Sequence, residues 1–456
     1  MGKDAAASEA GNSEFALLNE LAPVTTNGGG VPPVPDQAAD AGAAGSMPSS
    51  VVCREAVLNK ERRVAGYSFT LSRNINQRVR ASSAIVQRLY DEVLLRNILY
   101  MDIKRLLGHR LAFIPVLPSS LWHPLLEQLP REGVVLVVNA LEQLANASDI
   151  FLAQLGTLKA AGFRIALQGN IDLPGLQPFI ELADFVFVDI GNNDLPTITT
   201  QIDAVSKLAF DKALVATNIK TLDEFRVCAK LPFLYFQGAF VTSREKWVAP
   251  RMDAGRIRIL DLLNRIRQDA GISELAQIFK QDPALSFKIL RYINSAGSGL
   301  TSKVDSIDQA LLMLGQQNLY RWLTLLLFTS GGSDTLDWAL MENALVRARL
   351  AELSASDALS AKERDELFVT GIFSLLDILL QLPMAQVLQQ ISLPLPAEEA
   401  LLHKRGKYAP YLELAIACEE FDQERISDLA AQLGLELAHV NAYHADALIW
   451  AEQLNG

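Results

Sequence analysis

The side chains best suited to hold a metal or act as nucleophiles are sparse in this sequence. Its 456 residues include five histidines (His109, His123, His403, His439 and His444) and three cysteines (Cys53, Cys228 and Cys418). Sites for zinc and similar ions need such residues at short, repeated spacings. The histidines form no ligand cluster and no two cysteines are close in sequence, so three buried, reduced thiols are expected. Gly297-Ser-Gly299 follows a helical pattern and lacks the strand before it that a dinucleotide loop requires. No lysine follows a glycine-rich phosphate loop, and no Gly-x-Ser-x-Gly elbow occurs. Arg251, Arg258 and Arg265 recur at heptad spacing, with Arg256 and Arg267 nearby. They would suit a phosphate-binding stripe. Ile259, Leu262, Leu263 and Ile266 lie on the other side of the same helix, so a solvated charged face is the expected role. Neither that stripe nor Lys404-Arg-Gly-Lys407 is expected to bind nucleic acid, because the net charge of −11 opposes the counterion release that drives such binding.

The elements that would position any site fall into three stretches. Residues 1–50 are rich in Ala, Gly, Pro and Ser, and Thr25–Ser50 has too little apolar surface to offset its chain entropy. A disordered tail is expected, with one short apolar segment, Phe15-Ala-Leu-Leu-Asn-Glu-Leu21. Between 51 and 245, short apolar runs alternate with helical periodicity. Val134–Val138, Arg164–Leu167, Phe185–Ile190 and Ala213–Ala216 read as buried strands, and Ile150–Leu158 reads as a helix. Strands separated by helices imply parallel pairing through right-handed crossovers, in a barrel or a doubly wound sheet. From 250 to 456 strand signals vanish. Asp282-Pro283 and Ser306-Ile-Asp-Gln309 are helix starts, and Gly315 is a stop. An all-α domain is expected there. Trp247, Trp322, Trp338 and Trp450 sit in apolar helical contexts and are expected in the core or at a domain interface. No apolar run is long enough to cross a bilayer, and the N-terminus lacks the basic start and apolar core of a secretion signal. A soluble, cytoplasmic protein is expected.

Three motifs add a family resemblance. Val64-Ala-Gly-Tyr-Ser68 resembles the glycine–aromatic pair that leads into the name motif of EAL domains. Phe233-Leu-Tyr-Phe-Gln-Gly238 resembles the last-strand signature of the same family. DPALSFKILRYINSAGSG and SIDQALLMLGQQNLYRWL, within Leu275–Leu314 and just beyond, are similar to HDOD domains. The chain as a whole resembles two-domain EAL–HDOD bacterial signalling proteins. The resemblance implies an EAL-type β/α barrel over 51–245 followed by an all-helical HDOD domain over 250–456.

EAL domains hydrolyse cyclic di-GMP with two divalent metals held by carboxylates and an Asn. The metals polarise phosphate and generate hydroxide, and such hard cations need oxygen ligands. Carried over residue by residue, the Glu of the name motif falls at Ser68. The Asn of the next metal-binding strand falls at Pro115 and the following Glu at Val137. The paired aspartates fall at Gln168 and Gly169. The lysine that orients water falls at Phe187, ahead of a retained Asp189, and the next Glu falls at Thr217. Gln237 matches the family's late glutamine. Replacing carboxylates by Ser, Val and Gln, and a lysine by Phe, removes the charge on which a divalent site depends. The barrel is therefore expected to be an apolar core without a catalytic, metal or cofactor site. The HDOD half is related to metallophosphohydrolases that use an adjacent His-Asp. In Gly371-Ile-Phe-Ser-Leu-Leu-Asp377, Leu376 stands before the Asp, and Tyr443-His-Ala-Asp446 has the wrong spacing.

The expected function is that of an inactive signalling protein that binds other signalling proteins through its HDOD domain, its barrel or both. The resemblance implies an output such as motility, virulence or stress control, and leaves self-pairing open. Cyclic di-GMP binding without hydrolysis is the alternative, and residual hydrolysis a further one. Neither cyclic di-GMP nor a membrane is an expected partner.

Overall fold

The computed structural model describes residues 50–71, 83–101, 103–108, 110–146, 148–208, 212–244, 252–294, 304–330 and 336–453. The segment Phe15–Leu21, the rest of the tail before Ser50, His109, Trp247, Arg251 and Gly297–Gly299 lie outside them.

Of the two parallel arrangements open from the sequence, the chain adopts the barrel. Strands β1 (Cys53–Asn59), β2 (Val64–Thr70), β3 (Leu111–Val116), β4 (Val134–Val138), β5 (Arg164–Gln168), β6 (Phe185–Asp189), β7 (Ala213–Thr217) and β8 (Tyr235–Gln237) close in sequential order. From β2 to β8 the neighbours run parallel. β1 runs antiparallel to both β2 and β8. The helices of this half are α1 (Ala84–Tyr100), α2 (Ile103–Leu107), α3 (Leu141–Asn146), α4 (Ser148–Ala160), α5 (Gln177–Leu182), α6 (Leu195–Leu208) and α7 (Leu222–Cys228).

The all-apolar β4 shows why these segments read as unbroken runs. Val135 and Val137 face the barrel interior, while Val134, Leu136 and Val138 join the layer beneath the helices. A strand covered on both faces needs no polar alternation. Both motif glycines are explained by close approach. A Cβ at Gly66 would lie 2.4 Å from the Leu111 carbonyl oxygen. Gly238 has φ +154, and a Cβ there would lie 2.1 Å from the Ile219 carbonyl oxygen, so no side chain fits.

The second half is helical: α8 (Ala254–Arg267), α9 (Ile272–Lys280), α10 (Pro283–Ile293), α11 (Ile307–Thr329), α12 (Leu336–Ser354), α13 (Ala361–Phe373), α14 (Leu376–Leu380), α15 (Met384–Val387), α16 (Leu395–His403), α17 (Ala409–Glu420), α18 (Gln423–Gln432) and α19 (Leu437–Gln453). Asp282 and Ser306 accept from the backbone N–H three residues on, as N-caps. Gly315, at φ 73 and ψ 164, breaks α11 into two helical pieces rather than ending it. Trp322 is fully buried and stacks near Tyr292 and Phe279. Trp338 and Trp450 are half-buried against the core.

Helix α12 is buried nearly all round, as expected of a helix at the centre of a bundle. Its four buried charges are each matched: Asp337 by Arg256 at 2.7 Å, Glu342 by Arg110 at 2.5 Å, Arg347 by Glu419 at 2.6 Å and Glu352 by Arg349 at 2.7 Å. Removing one partner of such a pair would leave a costly bare charge.

The two halves share one continuous core. β1 lies along the seam. Its lead-in backbone and the end of β2 are held by the helical half: Asn441 accepts from the Val52 N–H at 2.8 Å, and Gln423 donates to the Val51 carbonyl and to the Leu71 carbonyl just past β2, at 2.6 Å each. No helix among the described residues is long and apolar enough to cross a membrane.

Candidate functional site

In a barrel of this kind chemistry belongs at the carboxyl ends of the parallel strands. Alternation along each strand decides which residues face inward. Val57, Phe113, Val135, Val137, Ala166, Phe185, Phe187 and Val215 form the interior cluster. The register then puts Ser68 opposite Glu55, Pro115 opposite Val137, Gln168 opposite Phe187 and Thr217 opposite Asp189. Gln237 pairs with Val57. The barrel thus points Ser68, Pro115, Gln168, Thr217, Asp189 and Gln237 inward around its mouth, with Val137 and Phe187 inward too but packed into the interior cluster. Gly169 lies one residue past β5 and is exposed.

Side chains fill the space below this ring. Phe113 meets Phe185 edge-on at 5.5 Å and Phe187 at 5.6 Å, and Phe185 meets Tyr235 at 5.7 Å. Phe113 is fully buried, and Val137 and Phe187 nearly so. Thr217 is buried, and its hydroxyl donates to the Val188 carbonyl at 3.2 Å.

Two carboxylates face the ring. Glu55 was missed from sequence, because β1 carries Arg54 and Glu55 in succession and gives no clean apolar signal. It accepts from Gln237 Nε2 at 2.7 Å. Asp189 closes its own loop, accepting from the Asn192 N–H at 3.2 Å and from Asn192 Nδ2 at 2.8 Å. Among the described residues no three His, Cys, Asp or Glu side chains come together as metal ligands. Two separated carboxylates, each already accepting hydrogen bonds, do not fit a pair of divalent cations, which need several oxygen ligands each.

The helical half places its marked residues elsewhere. Asp377 is buried and accepts from Arg244 Nε at 2.6 Å, while Arg244 Nη2 donates to the Ser374 carbonyl. Asp377 therefore anchors the end of the barrel segment. His444 is buried at the seam, and burial, reinforced by the Arg54 charge, pulls its imidazole down to about 3.

The arginine stripe differs from the expected solvated face at one position. Arg256 is only 1% exposed and bonds Asp337. Arg258 and Arg265 are on the surface, paired with Asp282, and with Asp261 and Glu274. All three cysteines are buried, and none is in a disulfide. Burial pushes the Cys228 thiol up to about 11.

A buried polar cluster lies between the halves. Arg110 Nη1 donates to the Tyr67 hydroxyl at 2.7 Å, and Arg110 binds Glu342 through both amino groups, the second at 3.0 Å. The Tyr67 hydroxyl also donates to Glu342. Burial pushes the Tyr67 phenol well above its ordinary range. Arg110 and Glu342 are 232 residues apart, so no local pattern announces them.

Residues 250–393 match the HDOD domain model, and the helical half carries an HDOD domain there. Helices α16–α19 lie beyond the match. The order expected from the resemblance, a barrel and then HDOD, is the order observed. The chain is 25% identical over 415 residues to the "Cyclic di-GMP phosphodiesterase CdgJ" of Vibrio cholerae, covering 90% of this chain and 94% of that protein. It is 26% identical over 421 residues to the "Uncharacterized protein YuxH" of Bacillus subtilis, covering 88% and 98%. Among solved structures it aligns with the calcium/cy-diGMP complex of Klebsiella pneumoniae BlrP1 at TM-score 0.34 and 20% identity, over 43% of this chain and 56% of that one.

Proposed function

We propose that this chain is a cyclic di-GMP signalling protein of the EAL–HDOD type whose barrel does not hydrolyse the nucleotide, and that it acts by binding other signalling proteins. The observation that carries this reading is the inward-facing ring at the barrel mouth. The positions matched to the family's ligands are Ser68, Pro115, Val137, Gln168 and Thr217, with Phe187 where the lysine would be. Phe187 itself packs with Phe113, which also meets Phe185, and these rings close the interior behind the other positions. A two-metal phosphodiesterase needs a concentration of negative charge there, and Glu55 and Asp189 are its only carboxylates among the described inward-facing residues. On the helical side, Phe287, Leu312 and Ile257 are more than half exposed on HDOD helices, apolar side chains of the kind that dock partners.

One observation favours a second reading, retained binding or turnover of cyclic di-GMP: the similarity along most of the chain to a protein named a cyclic di-GMP phosphodiesterase. Chromatographic analysis after incubating the full chain with cyclic di-GMP and Mg²⁺ or Mn²⁺ separates the two. No linear product supports the first reading, and metal-dependent product establishes the second.

A further inference from the structure

Arg54 stands on β1 at the seam and is 5% exposed. A cation taken out of water is costly unless it is both hydrogen-bonded and neutralised. Among the described residues Arg54 is neither: its buried Nε and Nη2 have no hydrogen-bond partner, and no carboxylate pairs with it. The other arginines sunk at the core and seam are all matched. Arg256 bonds Asp337, Arg110 bonds Glu342 and Arg347 bonds Glu419. Arg347 grips its carboxylate with the same edge that Arg54 leaves open, Nε at 3.1 Å and Nη2 at 2.6 Å.

We propose that Arg54 holds a small monovalent inorganic anion, of the chloride or nitrate class, between the two halves. The surrounding charges give its sign. The Tyr67 ring is flanked by two guanidiniums, Arg54 at 4.7 Å and Arg110 at 5.5 Å from its centre. Glu342 is taken by Arg110 and the Tyr67 hydroxyl, and Glu452 adds a Coulombic pull on Arg110. Glu419 is committed to Arg347. Glu55, the next residue of β1, faces the barrel and bonds Gln237. The titratable groups that feel the Arg54 charge supply no negative charge of their own. Burial pushes the Tyr67 phenol and the Cys418 thiol up, so both keep their protons, and it pulls the His444 imidazole down to its neutral form.

The orphaned atoms give the shape of the ligand. Nε–H and the Nη2–H beside it form the side-on fork of the guanidinium, which takes a planar oxoanion through two parallel bonds or a halide between them. A water molecule would accept these bonds and leave the charge bare, the costlier of the two deficits. Cys418 of α17 and His444 of α19 lie within the field of Arg54. An anion on the fork therefore sits where β1 meets the helical half, and its occupancy favours the docked arrangement of the two by mass action.

The test is thermal unfolding of the full chain while sodium chloride or sodium nitrate replaces sodium gluconate, whose anion is too bulky for the fork, at constant ionic strength. The expected result is a saturable rise of roughly 5 °C or more in the wild-type midpoint with either small anion. Arg54→Met keeps the length of the side chain and removes the fork and the charge, and is expected to lose the saturable part of the rise. Equilibrium dialysis of the wild type against radiochloride supplies a readout that needs no variant. One chloride retained per chain, displaced by nitrate and not by gluconate, is expected. If Arg54→Met does not fold, the dialysis alone decides. An equal rise in the wild type and Arg54→Met, which is a general salt effect, would overturn the proposal. So would the absence of retained chloride, which would leave water alone at the fork.

Discussion

Glu342→Ala tests whether the two halves are joined by the buried polar cluster. In the wild type the Glu342 carboxylate, 5% exposed, takes both amino groups of Arg110, which is 10% exposed, and the Tyr67 hydroxyl. The substitution leaves the guanidinium in the seam with its hydrogen-bonded counter-charge gone and only the Coulombic pull of Glu452 remaining. Breaking a buried pair in this way costs about 3–5 kcal/mol. For domains of this size that corresponds to a fall in thermal midpoint on the order of 10 °C. The assay is thermal and urea unfolding of the full chain followed by circular dichroism, with Arg110→Leu/Glu342→Leu as a companion. Removing both charges and restoring apolar volume is expected to recover most of the loss, because the penalty lies in the bare charge rather than in the missing attraction. A loss below about 1 kcal/mol for Glu342→Ala, the level of exposed surface pairs, would refute the view that this cluster is a dry joint.

Three further outcomes are expected. Phe113→Ala removes a fully buried ring packed edge-on against two others and should cost about 3–5 kcal/mol. A near-neutral result in urea unfolding would show the barrel interior to be loosely filled. His444 is neutral in the fold down to about pH 3, whereas an unfolded imidazole takes up a proton near pH 6.5. Between those values the unfolded state binds the extra proton, so His444 makes stability fall as pH falls, by about 1.4 kcal/mol per unit. His444→Met should flatten that slope in unfolding titrations from pH 6.5 to 4, and an unchanged slope would exclude His444 as its source. Ser68→Glu alone should not produce cyclic di-GMP hydrolysis, since Val137, Gln168 and Thr217 remain uncharged. Turnover from that single variant would show the ligand positions to be misplaced.

The parts of the fold legible in sequence are those stabilised locally or buried on both faces. β4 to β7 announced themselves because strands covered on both sides are apolar throughout. The N-caps at Asp282 and Ser306 sit where their side-chain chemistry puts them. β1 was not legible, because adjacent Arg54 and Glu55 point to opposite faces, Glu55 toward Gln237 in the barrel and Arg54 over the Tyr67 ring at the seam. Arg256 read as surface because its partner Asp337 is 81 residues away. The same holds for Arg110 with Glu342. Long-range buried pairs leave no periodicity, so the joint between the halves emerges only once they are packed together.

The central claim concerns the mouth of the barrel. The most direct test is calorimetric titration of the full chain with cyclic di-GMP, with and without Mg²⁺ or Mn²⁺, and chromatography of the same samples for product. The account predicts no metal-dependent linear product at any enzyme concentration or time tested. Metal-dependent accumulation of linear dinucleotide, abolished by Glu55→Gln or Asp189→Asn, would contradict it.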